Sequence, residues 1–149
     1  MTNNLITIYC DGGSRGNPGP AAIGVVIEQE VGSLKSGAKE YSKYIGETTN
    51  NEAEYQAVIF GLKKLKHLIG GEKAEKAKVE IKIDSELVVN QLSGVYKIKE
   101  KTLIPFFIEI WNLKIDFGEI KFTHIPREEN KKADWLVNRE LDSQNSLFA

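Results

Sequence analysis

Apolar and polar residues follow two different periods along this chain, and the change of period divides it. Leu5-Ile6-Thr7-Ile8-Tyr9-Cys10 is a short, β-branched run that stops at Asp11-Gly12-Gly13, which predicts a strand. A Gly/Pro-rich loop spans Gly12 to Pro20. Ala21 to Gln29 carries Ile23, Val25, Val26 and Ile27 and predicts a second strand, followed by a turn over Glu30 to Ser33. A third strand, with weaker alternation, is expected between Leu34 and Ile45. Three strands with short links suggest an antiparallel meander. After Thr49-Asn50-Asn51, which offers N-cap residues, the period becomes helical. Val58, Leu62, Leu65 and Ile69 share one face, flanked by Ala57, Gly61 and Leu68, while Gln56, Lys63, Lys66 and His67 take the other. Gly70-Gly71 ends this helix, and Gly70 to Lys78 reads as a solvated connector.

Val79, Ile81 and Ile83 then alternate with Glu80, Lys82 and Asp84, a clear strand signal. Ser85 to Leu92 predicts a short helix closed near Gly94. Thr102 is expected to cap a further helix that tolerates Pro105 in its first turn and has Ile104, Ile108, Trp111 and Ile115 as its apolar stripe. Ile120 and Phe122 mark a fifth strand ending near Ile125-Pro126. A last helix is expected from about Asn130 to Leu141, burying Ala133, Leu136, Val137 and Leu141. The order β-β-β-α-β-α-α-β-α specifies an α/β fold. Its five-stranded mixed sheet has strands 1–3 antiparallel and strands 1, 4 and 5 parallel, with helices on both faces through right-handed crossovers. One domain is expected over residues 1–141, with 142–149 as a short C-terminal tail.

Composition narrows the class. A chain of 149 residues, 41% of them hydrophobic, supports one well-buried domain. The single cysteine, Cys10, excludes an intrachain disulfide and a Cys-based zinc site, reads as a small core residue, and fits a reducing cytoplasm. Met1-Thr2-Asn3-Asn4 does not open a secretory signal. The densest apolar run, Leu103 to Ile110, is broken by Pro105 and Glu109, so no membrane partner is expected. Twenty Lys+Arg against 21 Asp+Glu leave a net charge of −1, which argues against a general nucleic-acid binder.

Candidate chemistry complicates that last exclusion. Asp11 ends the first strand and Asp84 the fourth. On parallel neighbouring strands their carboxylates would stand roughly 5 Å apart, the strand spacing, at the edge where open α/β sheets place ligands. Like charges this close need a cation or a proton between them. Glu54 and Asp134, each expected in the first turn of a helix, can join them. Four carboxylates without a Cys or His set point to Mg²⁺ or Mn²⁺, and such a set can hold two ions about 4 Å apart. With 21 acids in the chain, spacing alone does not select these four.

The residues around each acid do select them. Asp11-Gly-Gly-Ser-Arg-Gly-Asn-Pro-Gly-Pro20, Thr49-Asn-Asn-Glu-Ala-Glu-Tyr55, Ile83-Asp-Ser-Glu-Leu-Val88 and His124-Ile-Pro-Arg-Glu-Glu-Asn-Lys-Lys-Ala-Asp134 resemble type 1 ribonucleases H, in the family's order and over nearly the whole chain. The resemblance implies a ribonuclease H-like fold and hydrolysis of the RNA strand of RNA–DNA hybrids. It carries the catalytic, metal-binding carboxylates onto Asp11, Glu54, Asp84 and Asp134, with Glu54 rather than Glu52 in the Asn-Asn-x-x-Glu pattern. Two ions are then expected, one activating a water and one stabilising the leaving 3′ oxygen, giving 5′-phosphate and 3′-hydroxyl ends. His124 matches a histidine that serves proton transfer or product release; His67 is given no role.

The same resemblance implies substrate contacts. Gly12 begins a loop whose only long side chain is Arg15, so its backbone can approach a nucleic acid closely. The loop lacks G-x-G-x-x-G and leads into a strand, so it is no dinucleotide loop. Asn17, Asn50 and Asn51 match positions that meet the hybrid's minor groove, where amides read 2′-hydroxyls and base edges. Glu86 matches a further minor-groove position, and Thr49 a phosphate contact on the DNA strand. This chain departs from well-known members in lacking a basic inserted helix after Gly94, and an N-terminal hybrid-binding domain is not expected. Tyr96, Lys97, Lys99 and Lys101 are the candidate replacement for the inserted helix. The expected partner is an RNA–DNA hybrid, with double-stranded RNA as the alternative substrate, and the protein is expected to be a monomer. A hybrid-binding module without catalysis would predict a missing carboxylate, and none is missing. Gln144-x-x-Leu147-Phe148 faintly resembles a sliding-clamp peptide but stops short of its aromatic pair, so no clamp contact is expected. With the four ligand acids set aside, the rest of the chain carries a net +3, so phosphate affinity should depend on metals.

Overall fold

The computed structural model describes residues 4–31, 34–35 and 37–147. Its long central strand, β1 (Asn4–Ser14), pairs antiparallel with β2 (Gly19–Val31) on one side. The two-residue β3 (Leu34–Lys35) and then β4 (Lys39–Thr48) pair with the far side of β2. The expected third strand is therefore split and reaches three residues beyond Ile45. Residues 32–33 of the expected turn lie outside the described residues. Helix α1 (Asn50–Ile69) and a single helical turn, α2 (Gly71–Ala74), lead to β5 (Lys78–Ile83), which pairs parallel with β1. After α3 (Glu86–Leu92) and α4 (Ile104–Ile115), β6 (Glu119–His124) pairs parallel with β5, and α5 (Lys131–Leu147) closes the chain. The five long strands thus run β4-β2-β1-β5-β6, the mixed sheet that the sequence predicts.

Alternation along β1 sorts the two sheet faces. Ile6, Ile8 and Cys10 join Ile23, Val25, Ile27, Ile81 and Ile83 in one buried core under Tyr55, Val58, Leu62 and Leu65 of α1. The opposite face receives α5, whose Val137 and Leu141 pack on Ala22. That approach is close: a Cβ on Gly24 would lie 2.3 Å from the Ala133 carbonyl oxygen. Helix α1 starts at a side-chain N-cap, Thr49. The Thr49 hydroxyl accepts from Glu52 N–H at 3.2 Å and donates to the Glu52 carboxylate at 3.1 Å. Gly70, at φ +81°, closes the far end with its N–H on the Lys66 carbonyl.

Five expectations need correction. Strand β1 does not end at Asp11 but runs on to Ser14, and β2 begins at Gly19, because Gly12, Gly13 and Ser14 keep pairing with β2; the loop is only residues 15–18. The connector after Gly70 is partly helical, and Ala74 and Ala77 within it are buried. Thr102 is not a cap; it lies inside a 3₁₀ turn over Lys101–Leu103 that runs into α4. The last helix continues past Leu141 to Leu147, taking in most of the expected tail; Phe148 and Ala149 lie outside the described residues. The largest correction concerns α4. Ile104, Ile108, Trp111 and Ile115 are 42%, 52%, 51% and 75% exposed. Its core-facing side is Ile110, with Phe106, Phe107 and Leu113 packed beside it. The helix is apolar almost all round, so 3.6-residue spacing fits two faces equally well. The partners of the inner face lie on α1, which is remote in sequence. Lys63 pairs with Glu109 at 2.7 Å and Lys66 with Asp116 at 3.1 Å along that junction.

Candidate active site

The parallel pairing of β1 and β5 fixes the first two acids. Cys10 stands opposite Ile83, the last pair between these strands, so Asp11, still inside β1, and Asp84, just past β5, come to the same level. Glu54 comes from the fifth residue of α1, one turn deeper than expected. It reaches β1 because α1 crosses the strand at Gly12 with no side chain between them. A Cβ there would meet the Ala53 carbonyl carbon and oxygen at 2.3 Å and Glu54 N at 2.6 Å. The Gly12 N–H donates to Glu54 Oε1. The missing side chain of Gly12 is thus used inside the protein, to seat α1.

Asp11, Glu54 and Asp84 each offer a carboxylate oxygen within 4.8 Å of the others. Asp11 and Glu54 are buried and Asp84 is half-buried. Asp134, half-buried in the first turn of α5, lies outside this tight group, although its charge acts on Asp11. Burial and the neighbouring Asp84 charge push the Asp11 carboxyl up to about 7. Burial, then the charges of Asp11 and Asp84, raise Glu54 as well. The site therefore concentrates negative charge that folding alone leaves uncompensated. An all-oxygen donor set of this kind fits a hard divalent cation, which Asp11, Glu54 and Asp84 could hold.

His124 is the exposed last residue of β6, opposite Ile83 in register, so it flanks Asp84 on the next strand. One residue that the sequence reading passed over sits deeper. Asn130 is buried where α5 begins, and its Nδ2 donates to the Cys10 carbonyl at 2.9 Å and to Asp84 Oδ2 at 3.1 Å.

The Reverse transcriptase-like family model matches residues 9–140. "Ribonuclease H" of a Sulfurovum species is 34% identical over 146 residues, covering 92% of this chain and 90% of the relative. The chain belongs to the ribonuclease H family. "Bifunctional protein Rv2228c" of Mycobacterium tuberculosis is 38% identical over 138 residues, and the chain spans only 36% of its length. Among ribonuclease H structures, that of LC11-RNase H1 in complex with an RNA/DNA hybrid superposes with a TM-score of 0.83 at 49% identity, covering 93% of this chain and 98% of that one. Among the described residues, no helix is long and apolar enough to cross a membrane.

Several of the positions that the ribonuclease H resemblance assigns to substrate are hydrogen-bonded within the protein. Asn17 Oδ1 accepts from the Asn50 backbone N–H at 3.0 Å, and Asn50 Oδ1 accepts from Ser14 N–H at 2.9 Å. These bonds tie the glycine-rich loop to the start of α1, through a serine that the sequence did not single out. Arg15, the loop's one long side chain, pairs with Asp142 of α5 at 2.6 Å. Thr49 is engaged in capping α1, and Asn51 Nδ2 donates to Glu100 Oε1 at 2.8 Å. Glu86 is exposed at the start of α3, beside Ser85, whose hydroxyl caps that helix. Tyr96, Lys97 and Lys99 line a groove of about 460 Å³ with Leu87, Val95 and Glu100; Lys101 lies beyond it in the 3₁₀ turn.

Proposed function

We propose that this chain is a metal-dependent endonuclease that hydrolyses the RNA strand of RNA–DNA hybrids. The observation that carries this reading is the three-carboxylate group where the pairing of β1 and β5 stops, two of its members buried and raised, with Asp134 acting on it from α5. Asp11, Glu54, Asp84 and Asp134 would hold two divalent cations, Mg²⁺ or Mn²⁺. When bound, such ions activate a water and stabilise a leaving 3′ oxygen, leaving 5′-phosphate and 3′-hydroxyl ends.

The rest is done by the chain's own groups. Asp11 would be shared between the ions from within β1, and the Gly12 N–H holds Glu54 in place beside it. His124, exposed beside Asp84, moves a proton at its imidazole during the acid–base steps or product departure. The amides of Asn17, Asn50 and Asn51 turn toward 2′-hydroxyls and base edges, which distinguish RNA from DNA. Glu86 accepts from a 2′-hydroxyl. Lys97 and Lys99, beside Tyr96, grip phosphates in place of a basic inserted helix. The named hybrid complex of LC11-RNase H1 supports the substrate class.

A cleavage panel tests the reading. Matched RNA–DNA hybrid, RNA duplex, DNA duplex and single-stranded RNA are incubated with Mg²⁺, Mn²⁺ or chelator. Cleavage confined to the RNA of the hybrid, and abolished by chelator, is the expected result. Chelator-resistant cleavage overturns the metal chemistry, and equal cleavage of the RNA duplex overturns the hybrid restriction. Changing Lys97, Lys99 and Lys101 together to Ala should raise KM and flatten its dependence on salt. An unchanged KM across salt rules that grip out.

A further inference from the structure

Asn130 touches one of the four carboxylates directly and reaches the backbone of, or next to, two others. Its side-chain amide donates to Asp84 Oδ2 at 3.1 Å. The same nitrogen donates to the carbonyl of Cys10 at 2.9 Å, the residue immediately before Asp11. Its backbone carbonyl accepts from the N–H of Asp134 at 3.1 Å, which starts the helical bonding of α5. Its own N–H is held by the Arg127 carbonyl at 2.9 Å, so the residue is fixed from the chain side as well. Asn130 is 1% exposed.

The chemistry of the position explains why an amide stands there. Both groups facing the side chain are acceptors, a backbone carbonyl and a carboxylate. An NH₂ group has two hydrogens and serves both at once. The reversed amide would set an oxygen against two oxygens, so the orientation is determined by its partners. An aspartate of the same shape would add a further negative charge to the cluster and offer no donor. Meanwhile Oδ1 is buried with no hydrogen-bond partner among the described residues. An unsatisfied buried carbonyl is costly, and native structures tolerate few of them. A site that merely needed filling would be served better by an apolar residue. The donor end of Asn130 is what the structure retains.

We propose that Asn130 is a positioning residue of the metal centre. It locks Asp84 to β1 beside Asp11 and starts the helix that carries Asp134, so that three ligand carboxylates keep their relative placement. This rests on the metal-dependent reading above. Groups that orient metal ligands from behind commonly contribute 10–100-fold to metal affinity or activity.

The test uses the full chain, parent and variants, with Mg²⁺ itself as the probe. Metal-free protein is titrated with Mg²⁺ and followed through backbone amide signals at Gly12 and Asp84. Hybrid cleavage is measured in parallel as kcat and KM across Mg²⁺ concentration, and folding is checked by thermal unfolding. Asn130→Ala should raise the Mg²⁺ midpoint and lower kcat, each about 10–100-fold, with KM for hybrid within about twofold of the parent. Asn130→Asp should do worse than Asn130→Ala, since it turns an attraction to Asp84 into a repulsion. A lowered melting temperature with unchanged Mg²⁺ midpoint and kcat overturns the proposal and leaves Asn130 a packing residue. Should neither variant fold, the parent still decides. The side-chain NH₂ signals of Asn130 should shift along the Mg²⁺ titration with the midpoint seen at Asp84, and NH₂ signals that stay still overturn it. A parent that neither binds Mg²⁺ nor cleaves hybrid brings down the functional reading and this inference together. A competent parent matched by Asn130→Ala brings down this inference alone.

Discussion

Two regions of the molecule break the rule of apolar inside and polar outside, in opposite directions. Where the pairing of β1 and β5 stops, Asp11 and Glu54 are buried beside Asp84, with their carboxyls raised. On the outer face of α4, Ile104, Ile108, Trp111 and Ile115 stand in solvent. The first region is held by specific devices: a glycine that lets α1 touch β1, an N–H aimed at Glu54 and an amide clamped on Asp84. The second has Lys114 lying 4.7 Å from the Trp111 ring centroid and a ring contact from Phe107 to Trp111. Buried charge is expensive unless something compensates it, so a fold keeps it only where it is used. Exposed apolar side chains leave most of the free energy of the folded state untouched.

Substitutions should separate the two regions sharply. Asp11→Asn removes a ligand from the centre, and hybrid cleavage should fall by about 10³-fold or more, a several-kcal/mol loss of charge stabilisation. The same variant should melt higher than the parent without metal, because one of the crowded carboxylates is gone. A cleavage rate near the parent's in Mg²⁺ would contradict the assignment of Asp11. On α4, Ile110→Ala should cost about 2–5 kcal/mol in chemical denaturation, as expected of a buried aliphatic residue. Gly12→Ala forces a Cβ into the Ala53 backbone and should destabilise by about 1–3 kcal/mol. It should also weaken Mg²⁺ binding, which a calorimetric titration reads directly.

Two smaller effects sharpen the contrast. In the folded state the Asp11 carboxyl sits at about 7 against an ordinary 3.8, and Glu54 is raised too. Between those values the folded protein binds more protons than the unfolded chain. The associated stability is fully present below the unfolded value and is lost as pH rises through about 7. The melting temperature of metal-free protein should therefore fall from pH 5 to pH 8, and saturating Mg²⁺ should flatten the slope. A rising melting temperature over that range would mean that the carboxyls are not raised. Smallest of all, Ile108→Lys on the exposed stripe should change stability by no more than about 0.5 kcal/mol. A loss as large as that of Ile110→Ala would place the outer stripe in a packed interface.

Legibility in the sequence followed the range of the interactions involved. The strands were readable because alternation in β1, β2 and β5 is local, and their neighbours follow from short connections and crossover rules. The capping residue Thr49 and the stop at Gly70 were readable for the same reason. Asp11 and Asp84 were readable as a pair because parallel strands bring equivalent positions together. The faces of α4 were not, since two stripes of equal apolar character compete and only contact with α1 chooses between them. Nor was the reach of the last helix, because the polar residues after Leu141 continue a helix as readily as they end one.

What the sequence determined by itself was the order of elements, the family resemblance and the identity of the acids. Each is written in residues near one another in the chain or in motifs short enough to be read whole. Only the tertiary structure decided how those acids are held. Gly12 serves α1, Asn50 and Asn17 serve the loop as well as any substrate, and Asn130 secures Asp84 from 46 residues away. Each of these bonds joins groups on different elements. Burial and hydrogen bonding across such distances exist only once the sheet has brought the elements together.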